Sequence, residues 1–246
     1  MRTVHDHYSM HLSPVYSWMA GGVEAALVRG SAELDSIGVS PRTTRQAVDL
    51  GAGFGMHSIP LARRGFSVTA IDTSTELLSE LATHAAALPV RTVETDILSF
   101  RKHLTDSPEI VLCMGDTLTH LPTLESVGLL FAEVADVLDE SGTFVLTFRD
   151  YTTALSAEQR FIPVRSDVDR ILTCFLEYDD TRVTVHDLLH EREESQWKLR
   201  VSSYRKLRLA PEWVSQALEN HGFRVVRQAG LSGMVRLVAR WTMTCA

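Results

Sequence analysis

The run Gln46-Ala-Val-Asp-Leu-Gly-Ala-Gly-Phe-Gly-Met-His-Ser58 sets the organisation of this chain. An apolar strand, Ala47 to Leu50, meets three glycines, Gly51, Gly53 and Gly55, and then a helical run from Met56 to Arg64. Glycine is used where backbone must turn sharply and approach a ligand with no Cβ in the way. A glycine turn between strand and helix aims backbone N–H groups at a nucleotide-like molecule. The spacing is G-x-G-x-G, not the G-x-G-x-x-G of dinucleotide sites. Asp49 stands inside the strand end, two residues before the first glycine. An anion there repels a pyrophosphate and suits an ammonium.

Outward from this run the pattern is an alternation of strands and helices. Phe66 to Asp72 reads as a second strand, with Asp72 at its carboxyl end, where a carboxylate accepts both hydroxyls of a ribose. Ser74 or Thr73 caps a helix to Ala87, with Leu77, Leu78 and Leu81 inward. Val90 to Val93 is a third strand. Asp96 and Ile97 follow it, where the acid either accepts an adenine amino group, with Ile97 against the ring, or caps a turn. Pro108 to Met114 is an unbroken apolar fourth strand suited to the middle of a parallel sheet. Asp116 and His120 lie in the loop after it, where ligands sit in a doubly wound sheet; Asp116 also suits a simple cap. Leu124 to Leu138 has helical spacing, and Thr143 to Phe148 is a fifth strand. Alternation from Phe161 to Leu209 then reads as an antiparallel meander of about three strands. Pro211 to His221 is a helix, and Phe223 to Gln228 with Met234 to Trp241 form a final antiparallel pair. The fold class is therefore α/β: a doubly wound, seven-stranded sheet with an antiparallel terminal strand pair and an inserted antiparallel β-meander. The expected division is an N-terminal helical lid over 1–30, a core over 31–150, the β insertion over 151–209, and the final helix and strand pair over 210–246.

A chain of 246 residues, 45% hydrophobic, suits one α/β domain with an insertion. The net charge of −7 argues against nucleic acid, since phosphate contacts need a basic face. Three cysteines, Cys113, Cys174 and Cys245, give neither a C-x-x-C spacing nor an even framework, and Cys113 reads as core. No run has the length of a membrane span. The first residues do not read as a signal peptide, so a cytoplasmic location is expected. His5, His7 and His11 lack the partners of a closed metal site, and His186 and His190 do not converge on a strand, so no metal is expected. Pro14 to Met19 either packs a short helix on the core or forms a lid whose rings cover a cation.

The glycine run resembles motif I of the class I S-adenosylmethionine (SAM)-dependent methyltransferases. SAM has an ammonium and a sulfonium and no phosphate. The pieces Gly65 to Asp72, Gly115-Asp-Thr-Leu-Thr-His-Leu-Pro122, Phe148-Arg-Asp-Tyr151 and Lys198 to Tyr204 are similar to the glycine N-methyltransferase-like branch, which acts on small amines. The resemblance implies a Rossmann-like fold with SAM as cofactor and S-adenosylhomocysteine (SAH) as product. It implies that Tyr16 and Trp18 line the SAM pocket. Asp49, Gly51, Ala52, Gly53, Asp72, Thr73, Asp96, Ile97 and Met114 hold the cofactor. Arg149 pairs with a substrate carboxylate or is structural, and Tyr151 and Tyr204 shape the acceptor pocket. The branch has Asn where this chain has Asp116 and Asp150. Both changes add negative charge near the acceptor, which makes a more cationic amine, or an acceptor needing a base, a better fit than glycine.

The expected reaction is in-line displacement by a small-molecule amine nitrogen, with proximity and desolvation as the main contributions. The alternative is O-methylation of a small metabolite with His120 or Asp116 as base. A non-catalytic SAM-binding protein is a further reading, and a NAD(P) oxidoreductase is disfavoured by the glycine spacing. The expected partner is a small-molecule acceptor, with no nucleic acid and no membrane; homo-oligomer formation is left open.

Overall fold

The computed structural model describes residues 7–241; His5 and Cys245 lie outside them. The seven strands of the main sheet are β1 (Gln46–Leu50), β2 (Ser67–Asp72), β3 (Val90–Glu94), β4 (Ile110–Cys113), β5 (Thr143–Phe148), β10 (Phe223–Ala229) and β11 (Val235–Trp241). Their order is β10-β11-β5-β4-β1-β2-β3, with β1 to β5 parallel and β11 antiparallel to both β5 and β10. From β1 the chain winds outward to β2 and β3, then returns to the other side of β1 with β4. The carboxyl ends of β1 and β4 thus flank the topological switch point, where an open α/β sheet leaves a crevice.

Side-chain parity divides the core. Val48, Leu50, Val111 and Cys113 pack on one face with Leu130, Phe131 and Val134 of α5 (Leu124–Val137). Ala47, Ile110 and Leu112 pack on the other with Leu34 of α2 (Val23–Ile37) and Leu61 of α3 (Ser58–Arg63). Strands buried on both faces read as continuous apolar runs, as β4 does. Ser74 caps α4 (Thr75–Ala85) by accepting from the Leu77 N–H, as expected of that residue.

Three expectations need correction. The boundary at residue 30 falls inside α2, a single helix whose Val23, Ala26, Leu27, Gly30 and Leu34 recur at helical spacing. The break lies earlier, at Gly21 and Gly22 (φ +93° and +92°), which separate α2 from the short α1 (Tyr16–Met19). The insertion has four strands, not three: β6 (Phe161–Ser166), β7 (Arg170–Tyr178), β8 (Arg182–Glu193) and β9 (Gln196–Leu207), in that order. Pro163 in β6 is tolerated because β6 is an edge strand. The helix after the glycine loop begins at Ser58, not Met56, because the three glycines are followed by a further turn.

The insertion is a separate antiparallel sheet with one buried face. Val183, Val185, Asp187 and Leu189 of β8 alternate inward, opposite Lys206, Tyr204, Ser202 and Arg200 of β9. Three of these inward residues, Asp187, Ser202 and Lys206, are polar and buried (2%, 4% and 6% exposed), which is unusual for the core face of a sheet. The N-terminal segment bridges the two sheets. His7 Nε2 meets Asp187 Oδ2 at 2.9 Å and its Nδ1 meets Ser202 Oγ at 2.8 Å, while Ser13 Oγ bonds Ser74 Oγ at 3.0 Å.

Candidate active site

The loop after β1 is held open by its own backbone. The N–H groups of Gly51 and Ala52 donate to the Ile71 carbonyl at 2.8 and 2.9 Å, tying the loop to β2. Gly51 has φ +76°, and a Cβ on it would lie 2.4 Å from Thr117 Oγ1, so only glycine lets the loops after β1 and β4 touch. Gly53 donates its N–H to Asp72 Oδ2 at 2.8 Å, and Asp72 Oδ1 accepts from the Ser74 N–H at 2.9 Å.

A cavity opens between these loops. Gly51, Gly53, Asp72 and Thr73 form one wall; Asp96 and Ile97 form the far end; Tyr8, Tyr16, Thr117 and His120 close the other side. Asp96 both faces the cavity and caps the turn Ile97–His103, through Oδ1 and the Leu98 N–H at 2.8 Å. Among the described residues the lining holds two aspartates and no lysine or arginine. Such a cavity repels a phosphate and suits a neutral or cationic ligand. A diol fits Asp72, an apolar ring fits Ile97, and a cation fits the tyrosine faces.

Behind Tyr16 and His120 lies a denser polar group. Asp116 Oδ2 accepts from Lys206 Nζ at 2.5 Å and Tyr151 Oη at 2.8 Å, and Oδ1 accepts from the Arg149 N–H at 2.9 Å. Burial pushes the Asp116 carboxyl up, but Lys206 and these donors overcome it and hold it at about 2. Burial lowers the Lys206 ammonium, but Asp116 outweighs it and raises it overall. His120 stacks on Tyr204 (centroids 5.4 Å apart, planes at 15°), and its Nε2 is 3.4 Å from Tyr8 Oη. Burial, then the nearby Lys206 charge, lowers His120 to about 3, so its imidazole is neutral near pH 7. Its Nδ1 is buried with no hydrogen-bond partner. Burial raises Tyr8, Tyr16 and Tyr151, so all three stay protonated.

Of the residues singled out in the sequence, Tyr16, Gly51, Gly53, Asp72, Thr73, Asp96, Ile97 and His120 line the cavity, and Asp116, Tyr151 and Tyr204 stand behind it. The others do not reach it. Asp49 shares the parity of Ala47, so it points toward α3, where Oδ2 accepts from Ser58 Oγ at 2.6 Å. Met114 packs on that same face with Leu34 and Val145. The Ala52 side chain is buried against Leu27 and Ile59, and only its N–H serves the loop. Trp18 turns to the insertion, donating to Asp167 Oδ2 at 2.5 Å beneath the Arg170 guanidinium, 4.5 Å from the ring centroid. The Arg149 guanidinium is exposed and bonds the Ser232 carbonyl at 3.3 Å; only its N–H enters the site. Asp150 is likewise exposed and caps its own turn through the Thr152 N–H at 2.9 Å. Neither Asp116, held low by Lys206 and two further donors, nor His120 has the basicity of a general base.

Sequence reasoning missed Tyr8 and Lys206. Lys206 carries a readable signal, since it continues the inward alternation of Ser202 and Tyr204. His7 and His11 are both buried, and His7 is spent on Asp187 and Ser202. Among the described residues no three His, Cys, Asp or Glu side chains converge to hold a metal, and no helix is long and apolar enough to cross a membrane.

Comparison with known proteins gives this geometry its context. Residues 47–142 match the family described as "Methyltransferase domain". A glycine/sarcosine N-methyltransferase of Aphanothece halophytica is 32% identical over 113 residues, 45% of this chain and 43% of that protein, so the match spans less than half of the curated relative. The CcbJ methyltransferase of Streptomyces caelestis superposes with a TM-score of 0.78 over 96% of this chain and 98% of its own, at 20% identity. A SAM-dependent methyltransferase of Clostridium acetobutylicum gives 0.74 over 94% and 97%, at 14% identity. At these identities the two structures bear on the fold alone.

Proposed function

We propose, from the premise that this chain belongs to the class I SAM-dependent methyltransferases, that it moves a methyl group from SAM to the amine nitrogen of a small molecule. The observation that carries the reading is the cavity at the switch point, which pairs a glycine loop with two aspartates and two tyrosine faces and, among the described residues, has no lysine or arginine in its lining. SAM, when bound, supplies an activated methyl group. Asp72 and the Gly53 backbone would hold the ribose, and Asp96 with Ile97 the adenine. Tyr8 and Tyr16 would cover the cationic sulfur and keep water out.

The choice of nitrogen over oxygen rests on the weak basicity of His120 and Asp116, the two groups the sequence offers as bases. A phenol or alcohol must give up its proton, and His120 at about 3 and Asp116 at about 2, though unprotonated near neutral pH, are too weakly basic to take it. An amine that arrives neutral needs no base from the chain. His120 lines the cavity with a neutral ring and would help shape the acceptor's seat. The N-methyltransferase name of the Aphanothece halophytica relative supports the same reading. The test is incubation of the full chain with methyl-labelled SAM and a panel of small amines and phenols. Label in amines alone is expected; label in phenols alone would replace the reading with O-methylation.

A further inference from the structure

Lys206 has no part in the transfer step above, yet it is 6% exposed at the centre of the molecule. It stands on the inward face of β9, with its ammonium on Asp116 and near the rings of Tyr204 and Tyr151, 5.3 and 5.8 Å from their centroids. Asp116 is filled by three donors: Lys206, Tyr151 and the Arg149 N–H. A second carboxylate, Asp187, faces the same space from β8 and is held by His7 and by Cys174 Sγ at 2.8 Å. The Arg149 guanidinium lies outside, on Ser232. Among the described residues this buried polar group therefore sets two carboxylates, Asp116 and Asp187, against one lysine, Lys206, which is already engaged. Asp116 also begins the loop whose Thr117, His120 and Leu121 line the cavity, so the pair sits directly behind the reacting space.

We propose that the Lys206–Asp116 ion pair is the specificity element of the acceptor site, and that it selects an amine bearing no carboxylate. This rests on the reading that the chain methylates amines. A carboxylate entering here must draw Lys206 away from Asp116, which leaves a buried aspartate without its ionic partner, and it meets Asp187 besides. An amine whose other polar groups are uncharged disturbs neither. Replacing Asp116 by Asn releases the ammonium to take a carboxylate, so the same residue pair predicts how to reverse the preference.

The experiment is calorimetric titration of the SAH-saturated protein with matched pairs: 2-aminoethanol against glycine, alaninol against alanine, phenylalaninol against phenylalanine. In the wild type each amino alcohol is expected to bind at least tenfold more tightly than its acid. Asp116→Asn should shift that ratio at least tenfold toward the acid. The double variant Asp116→Asn/Lys206→Met, which leaves no buried charge unpaired at this pair, should lose that shift. A wild type that prefers the acids or shows no preference, or an Asp116→Asn protein that binds SAH with an unmoved ratio, overturns the proposal alone. A wild type that does not bind SAH overturns the methyltransferase reading, and this proposal with it.

Discussion

At Asp72 two backbone donors and a ligand cavity meet on one carboxylate. Oδ2 holds the Gly53 N–H and Oδ1 the Ser74 N–H, so the side chain shapes the loop before any ligand arrives. Asp72→Ala should therefore weaken SAM binding by about 1.5–3 kcal/mol per charge-assisted hydrogen bond lost and also lower the melting temperature. Unchanged SAM affinity by calorimetry would remove the ribose assignment. His120 offers a test through pH. Its pKa is about 3 in the folded protein against an ordinary 6.5, so from pH 6.5 down to 3 the unfolded chain binds a proton that the folded one refuses. Stability from this residue is thus intact above 6.5 and lost as pH falls toward 3. In urea denaturation at pH 7 and pH 4.5, His120→Gln should lose roughly 1–3 kcal/mol less than the wild type. An equal loss in both would show that His120 is free to protonate in the folded state. The places of Asp72 and His120 were legible in the sequence because the loops after strand ends in a doubly wound sheet face the crevice, and both line the cavity. The inward place of Lys206 was legible in the alternation of Ser202 and Tyr204, but its pairing was not, because Asp116 lies 90 residues away and only the packing of one sheet on the other brings them together.

Among the elements, the glycine loop and the N-terminal segment have the least freedom to change. Gly51→Ala meets two obstacles: a positive φ of +76° and a contact of 2.4 Å with Thr117. Each is of a kind that costs about 1–3 kcal/mol, and shortening Thr117 relieves only the second. Gly51→Ala/Thr117→Ala, which removes both Oγ1 and Cγ2 of Thr117, should accordingly remain well below the Thr117→Ala protein in chemical denaturation; equal stability would mean that the backbone there is unstrained. The N-terminal segment is anchored at His7 on the insertion and at Ser13 on the core. His7→Ala leaves the buried Asp187 without its strongest partner, an expected loss of about 1–3 kcal/mol. Amide exchange should then quicken in the segment and in β8 and β9, with β1 and β4 unchanged. Exchange confined to the chain end would show that His7 anchors nothing. The parallel core was readable because buried strands are written as apolar runs. Helix α2 is equally regular in spacing, but no strand-to-helix turn announces it, and Asp49 misled because parity sends it under the loop.

For the whole molecule, one sheet carries the glycine loop and a second sheet, inserted after β5, closes over its carboxyl edge with a polar face. The doubly wound, seven-stranded sheet with its antiparallel terminal pair followed from alternation in the sequence, whereas the identity of the residues facing the cavity needed the two sheets together. The charge of that cavity is the central claim: among the described residues, two aspartates and no lysine or arginine in the lining, and tyrosine rings where a positive group belongs. Calorimetric titration with SAM and SAH, with NAD as control, tests it most directly. Micromolar binding of both sulfur compounds and none of NAD is the predicted result. Binding of NAD, or of neither sulfur compound, would contradict it.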